Sequence, residues 1–145
     1  MQAPTVPPDD QLRSEARLVT RWVDEDNQRV LNNAVYLTLL EEARLRYFSD
    51  LGLMEADGGF PFVLAQTNAR FVAPGRGGRE VSVRLSTTHL GNSSFVQAYR
   101  VRDAQSDEVW LEAEALLVAW DPVTRGKRQM SEEFRARVAE LEGQV

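Results

Sequence analysis

From Ala34 to Leu51 apolar residues recur every three or four positions. Tyr36, Leu40, Ala43, Tyr47 and Leu51 share one helical face, and Val35, Leu39 and Phe48 widen it. The polar Glu42, Arg46, Ser49 and Asp50 fall on the opposite side, with Glu42 and Arg46 spaced for an i,i+4 ion pair. Asn32-Asn33 supplies side-chain amides to cap the first free backbone N–H groups, and Gly52 stops the run. So wide an apolar face predicts a helix wrapped by a curved surface.

After Gly58-Gly59 the period shortens to two. Phe62–Phe71, Val81–Leu90, Ser94–Asp103 and Val109–Asp121 read as strands, separated by Pro74-Gly75-Arg76-Gly77-Gly78, Gly91-Asn92-Ser93 and Ala104-Gln105-Ser106-Asp107. Connections this short predict antiparallel hairpins. In the last strand Leu111, Ala113, Ala115, Leu117 and Ala119 form one face, whose small residues suit close approach of the helix. Ahead of the helix, Leu18–Val23 has strand character, and Ser131 opens a short terminal helix with Glu132 and Glu133 in its first turn. The order predicts an α+β fold: a curved antiparallel five-stranded sheet around a long central helix, plus a short C-terminal helix. Residues 1–11, rich in proline, read as a flexible arm; 12–130 form one domain; 131–145 form the terminal helix and tail.

Composition then removes function classes. The chain has 145 residues and a net charge of −5, with both signs interspersed, which argues against general nucleic-acid affinity. No cysteine is present, so disulfides, thiol nucleophiles and thiolate metal sites are excluded. The single histidine, His89, leaves no His-rich zinc site and reads as a hydrogen-bonded residue at a strand rim. The first residues, MQAPTVPPDDQ, lack a basic and then apolar leader, and no apolar run reaches about 18 residues, so a cytoplasmic protein without a membrane span is expected.

The most specific feature is the acidic stretch Asp24-Glu25-Asp26 a few residues before the helix start at Asn32-Asn33-Ala34. A carboxylate beside a helix N-terminus suits acyl transfer: free N–H groups and the positive helix end stabilise an oxyanion, and the carboxylate attacks the carbonyl or activates water. Acidic residues there also serve simply as caps.

Arg21-Trp22-x-Asp24-x-Asp26, then Asn32-Asn33-Ala34-Val35-Tyr36-Leu37 and Glu41-Glu42-Ala43-Arg44, resembles the 4-hydroxybenzoyl-CoA thioesterase-like proteins of the hotdog superfamily. The resemblance continues through Asn68–Pro74, Leu90–Phe95 and Leu117–Asp121, and so spans roughly residues 15 to 128. It implies an acyl-CoA thioesterase that uses no metal or separate cofactor, coenzyme A being part of the substrate. By that resemblance Asp26 is nucleophile or general base, the backbone N–H at Asn33 polarises the carbonyl, and Asp24 has a supporting role. Many such proteins carry Gly-His where this chain has Arg29-Val30. The Asp-x-x-x-x-His pattern of hotdog hydratases is absent, since Leu31 stands five residues after Asp26.

Tyr36, Asn92, Ser93 and Ser94 are further candidates for substrate contact, and Arg76 and Arg79 for the coenzyme A phosphates. The expected partners are an acyl-CoA or acyl-carrier thioester and further copies of the chain, as homodimer or homotetramer, because an unpaired sheet edge invites pairing. The alternative is a non-catalytic acyl-thioester or lipid-binding hotdog protein.

Overall fold

A computed structural model describes residues 1–143 and 145. The chain runs β1 (Ser14–Val19), α1 (Asn33–Asp50), β2 (Phe62–Phe71), β3 (Glu80–Leu90), β4 (Ser94–Asp103), β5 (Val109–Asp121), β6 (Gly126–Lys127) and α2 (Glu132–Glu142). The sheet order is β1-β3-β4-β5-β2, every pairing is antiparallel, and the short β6 pairs with the end of β5. The sheet curls around α1, which buries Tyr36, Leu40, Ala43, Tyr47 and Phe48 against it.

Three differences from the sequence reading have physical causes. The first strand lies at Ser14–Val19 rather than Leu18–Val23, and Trp22–Asp24 form a 3-10 turn. Alternation already holds from Ser14, with Ala16 and Leu18 buried, whereas Trp22 and Val23 face outward. The Pro74–Gly78 connection is not a hairpin, because β2 pairs with β5 and β3 with β1 and β4. It instead carries the chain across the sheet end. Finally, the N-terminal residues read as an arm lie along the outer sheet face, where Asp9 pairs with Arg100 at 2.5 Å and Arg102 at 2.6 Å. Register explains the contact: Arg84 and Arg100 are cross-strand partners, a like-charge pair that needs an anion beside it.

The far end of the core is aromatic. Phe48 lies 4.8 Å from Phe62, 5.6 Å from Phe95 and 5.5 Å from Phe134 between ring centroids. Each fully buried side chain contributes about 1.5–3 kcal/mol, and Phe134 and Val138 together dock α2 on the core. Ser131 caps that helix, accepting from the Phe134 N–H at 3.1 Å. No helix among the described residues is long and apolar enough to cross a membrane.

Candidate active site

The acidic stretch folds back on itself before α1 begins. The Asn32 N–H donates to the Asp24 carbonyl at 2.9 Å, the Asp26 N–H to the Val30 carbonyl at 2.9 Å, and Glu25 bridges Leu31. The loop is Asn27-Gln28-Arg29, closed by the Arg29 N–H on the Asp26 carbonyl at 3.0 Å. A three-residue hairpin loop of this kind needs a left-handed last residue, and Arg29 has φ of 60°. That explains the glycine that many similar sequences carry there. An L-residue in this region costs about 1–2 kcal/mol, and glycine's extra unfolded-state entropy about 0.5–1 kcal/mol. Arg29→Gly is therefore expected to raise stability by about 0.5–1 kcal/mol in urea titration, with a parallel rise in melting temperature.

Asp26 sits at the corner. Its Oδ1 accepts the Gln28 N–H at 2.8 Å, which sets the carboxylate's direction, while Oδ2 has no partner among the described residues. The side chain is neither buried nor fully exposed. Asp24, two residues earlier at the end of the 3-10 turn, is consumed structurally: its carboxylate takes the Arg21 N–H and Nη2, each at 2.8 Å. The Arg21 guanidinium holds the Asp24 carboxyl below the usual range, against the upward push of burial.

The hairpin is clamped to the connection between β2 and β3. The Leu31 N–H donates to the Gly75 carbonyl at 2.9 Å, and the Gly75 N–H donates to Tyr36 Oη at 3.1 Å. Glu25 Oε2 accepts the Gly77 N–H at 2.8 Å and lies 3.4 Å from Arg76 Nε. Tyr36 is 2% exposed and wedged edge-on against Phe71 at 5.4 Å. It thus positions Gly75 rather than presenting a surface to solvent, and burial pushes its hydroxyl pKa upward.

At the helix start, Asn32 is the cap, its Oδ1 accepting the Ala34 N–H at 2.9 Å and its carbonyl the Val35 N–H. The N–H of Asn33, the first helical residue, has no partner among the described residues. A free donor at the positive end of an 18-residue helix and a carboxylate with one open oxygen are thus held at the same end of α1. Such a pair can polarise a carbonyl and deliver a nucleophile to it.

Arg76 shares this end with its side chain 64% exposed, and Arg79 pairs with Asp103 at 2.8 Å. That pairing holds the Asp103 carboxyl low, helped by the Gln105 and Ser106 N–H groups. Asp24 and Asp103 therefore contribute stability that is full above about pH 4 and is lost as pH falls through their depressed folded values. The stability deficit of Asp103→Asn relative to wild type in urea titration is expected to be largest near neutrality and to shrink in acid.

Asn92, Ser93 and Ser94 lie at the other end of the sheet. The Met130 N–H donates to the Asn92 carbonyl at 3.0 Å and the Ala119 N–H to the Ser93 carbonyl at 2.8 Å, tying the turn to the approach to α2. The ten-residue strand β4 separates them from the Asp26 end by about 30 Å. His89 is an exposed residue of β3 near that far turn. Sequence reasoning missed the parts that Glu25 and Gly75 play. Only the Gly-rich stretch hinted at the second, through its tolerance of close backbone approach. Among the described residues no group of three His, Asp or Glu side chains could hold a metal ion.

A protein-family profile described as the thioesterase superfamily matches residues 28–109. Among solved structures, a thioesterase from Thermus thermophilus complexed with coenzyme A and zinc is 29% identical, with a TM-score of 0.79 over 92% of this chain and 96% of that one. A 1,4-dihydroxy-2-naphthoyl-CoA thioesterase from Synechocystis shares the fold at 18% identity, TM-score 0.79, over 90% of this chain and 98% of that one. A 12:0-ACP thioesterase from Umbellularia californica does so at 18% identity, TM-score 0.75, over 88% of this chain and 52% of its own. No curated protein matched in a sequence search. The sheet curled about a long helix, with its terminal helix, is the hotdog fold.

Proposed function

Because the chain belongs to the thioesterase superfamily, we propose that it hydrolyses an acyl-CoA thioester, with Asp26 as the reactive carboxylate. Water adds across the C–S bond: its oxygen completes the carboxylic acid, and sulfur leaves as the free thiol of coenzyme A. The observation that carries this reading is the open Oδ2 of Asp26 held at the same helix end as the unpartnered Asn33 N–H. The N–H receives the developing oxyanion, and Asp26 attacks the carbonyl or takes the proton of the attacking water. Exposed Arg76, with Arg79 beside it, is the candidate ligand for coenzyme A phosphates. An acyl-carrier thioester would present the same reacting group.

A second copy completes the proposed site. Among the described residues the outer edge of β2 is unpaired, and Val63, Leu64 and Phe71 along it and Val72 just beyond are 39–50% exposed. An edge this long and apolar invites pairing. Two-fold antiparallel pairing of β2 with its copy sets the Phe62 end of one protomer beside the Phe71 end of the other. The Asn92–Ser94 turn of one protomer would then approach the Asp26 hairpin of the other, joining two candidate groups that lie apart in a single chain.

Thiol release from short, long and aromatic acyl-CoA esters tests the hydrolase reading, and the cysteine-free chain adds no background. Turnover that depends on Asp26 is expected. Binding of the esters without release would mark an acyl-thioester-binding protein instead.

A further inference from the structure

Arg44 lies in the middle of α1 and is 5% exposed. Its Nε donates to Tyr99 Oη at 2.9 Å, and its guanidinium carbon sits 5.6 Å from the Tyr99 ring centroid. No carboxylate lies within ion-pair distance of it, and neither terminal nitrogen makes a hydrogen bond, among the described residues. A buried cation without a counter-charge carries a large desolvation cost, which an anion would relieve.

A second unmet group lies on the same side of the helix. Thr67 Oγ1, on β2, is buried and has no partner among the described residues. Register sets Thr67 against Ala115, and Ala115 against Gln97, so its side chain shares the helix-facing surface of the sheet with them. Arg44 projects from the flank of α1 that also carries Leu37 and Phe48, and the Phe48–Phe62 contact shows that this flank faces β2. Ala69, Ala113 and Ala115 put the smallest apolar side chains on the helix-facing surface beside Thr67. Leu37, Leu64 and Phe71, each about half exposed, give the outer side an apolar wall.

Eleven residues separate Asn33 from Arg44, about 16 Å along the helix axis. Helical side chains lean back toward the N-terminus, which leaves roughly 10 Å between the free N–H and the guanidinium. That is about the span of an extended eight-carbon acyl chain. We infer that this flank of α1 receives an acyl group whose far end bears a carboxylate, held by Arg44 and hydrogen-bonded by Thr67. The inference rests on the hydrolase reading and names its substrate class: a medium-length ω-carboxyacyl thioester, hydrolysed to a dicarboxylate.

Suberoyl-CoA and octanoyl-CoA have equal length and differ at the terminal group, so the ratio of their kcat/KM values isolates the effect. Wild type is expected to favour suberoyl-CoA by about 10-fold or more. Arg44→Met should abolish that preference, Arg44→Lys should keep part of it, and Thr67→Val should cut it severalfold. Isothermal titration with free suberate and free octanoate reads the site without chemistry. If no ester is hydrolysed yet suberate alone binds, and binding is lost in Arg44→Met, the hydrolase reading fails and the carboxylate site stands. Hydrolysis without preference for suberoyl-CoA, with suberate binding no better than octanoate, overturns the inference and leaves the hydrolase intact. Should Arg44→Met not fold, Arg44→Lys and Thr67→Val decide, and an unchanged ratio in both overturns it.

Discussion

Asp26→Asn is expected to lower kcat for thioester hydrolysis by about 10²–10³-fold while leaving the melting temperature within a degree or two of wild type. The amide has almost the shape of the carboxylate, and its Oδ1 can still accept the Gln28 N–H that orients the side chain. The turn that starts the hairpin therefore survives. What disappears is the basic, nucleophilic second oxygen, which no neighbouring group replaces: Asp24 is bound to Arg21, and Glu25 to Gly77 and Arg76. KM should change little, because the amide removes a group that acts on the transition state more than on bound substrate. Thiol-release kinetics beside thermal unfolding checks both halves. Full activity in the variant would leave Asp26 as a turn residue and move the chemistry elsewhere.

Gly75→Ala is expected to cost about 2–3 kcal/mol of stability and to reduce activity as well. A Cβ at this position would stand 2.6 Å from Tyr36 Oη and 2.7 Å from Trp110 Cε3. Both rings are almost wholly buried and cannot move aside, so the backbone must shift. The reason is closeness rather than torsion, since Gly75 is not among the residues with positive φ. The shift would strain both clamps that meet at Gly75, from the Leu31 N–H and to Tyr36 Oη. Leu31 bridges Glu25, the residue before Asp26, so the hairpin would lose its footing on α1. A domain of this size should show a drop in melting temperature of roughly 6–12 °C. A loss of kcat in the surviving folded fraction would show that the clamp positions the site.

Much of this is legible without any coordinates. The limits of β2, β4 and β5 follow from alternation bounded by turn residues, and both helices begin at the caps Asn32 and Ser131 that the sequence displays. Local chemistry sets these features, and local chemistry is what a sequence records. The connection at Pro74–Gly78 reads as a hairpin in the sequence because turn residues mark a change of direction and not the strand that receives the chain. Arg44 escapes notice for a related reason: an arginine beside an apolar stripe ordinarily extends to water, and only the curl of the sheet over its flank of α1 buries it.

The sequence by itself determined which segments are helix and strand, that one helix must be enclosed, and that a carboxylate precedes a helix N-terminus. Those properties depend on neighbours within a few residues, where backbone geometry fixes the spacing. Only the tertiary structure decided the strand order, the clamp of the acidic hairpin on Gly75, the separation of Asn92–Ser94 from Asp26, and the unmet charge of Arg44. Each joins residues far apart in the chain. Their proximity comes from burying apolar faces collectively, and that pressure specifies how much surface must be covered without naming which side chains meet there.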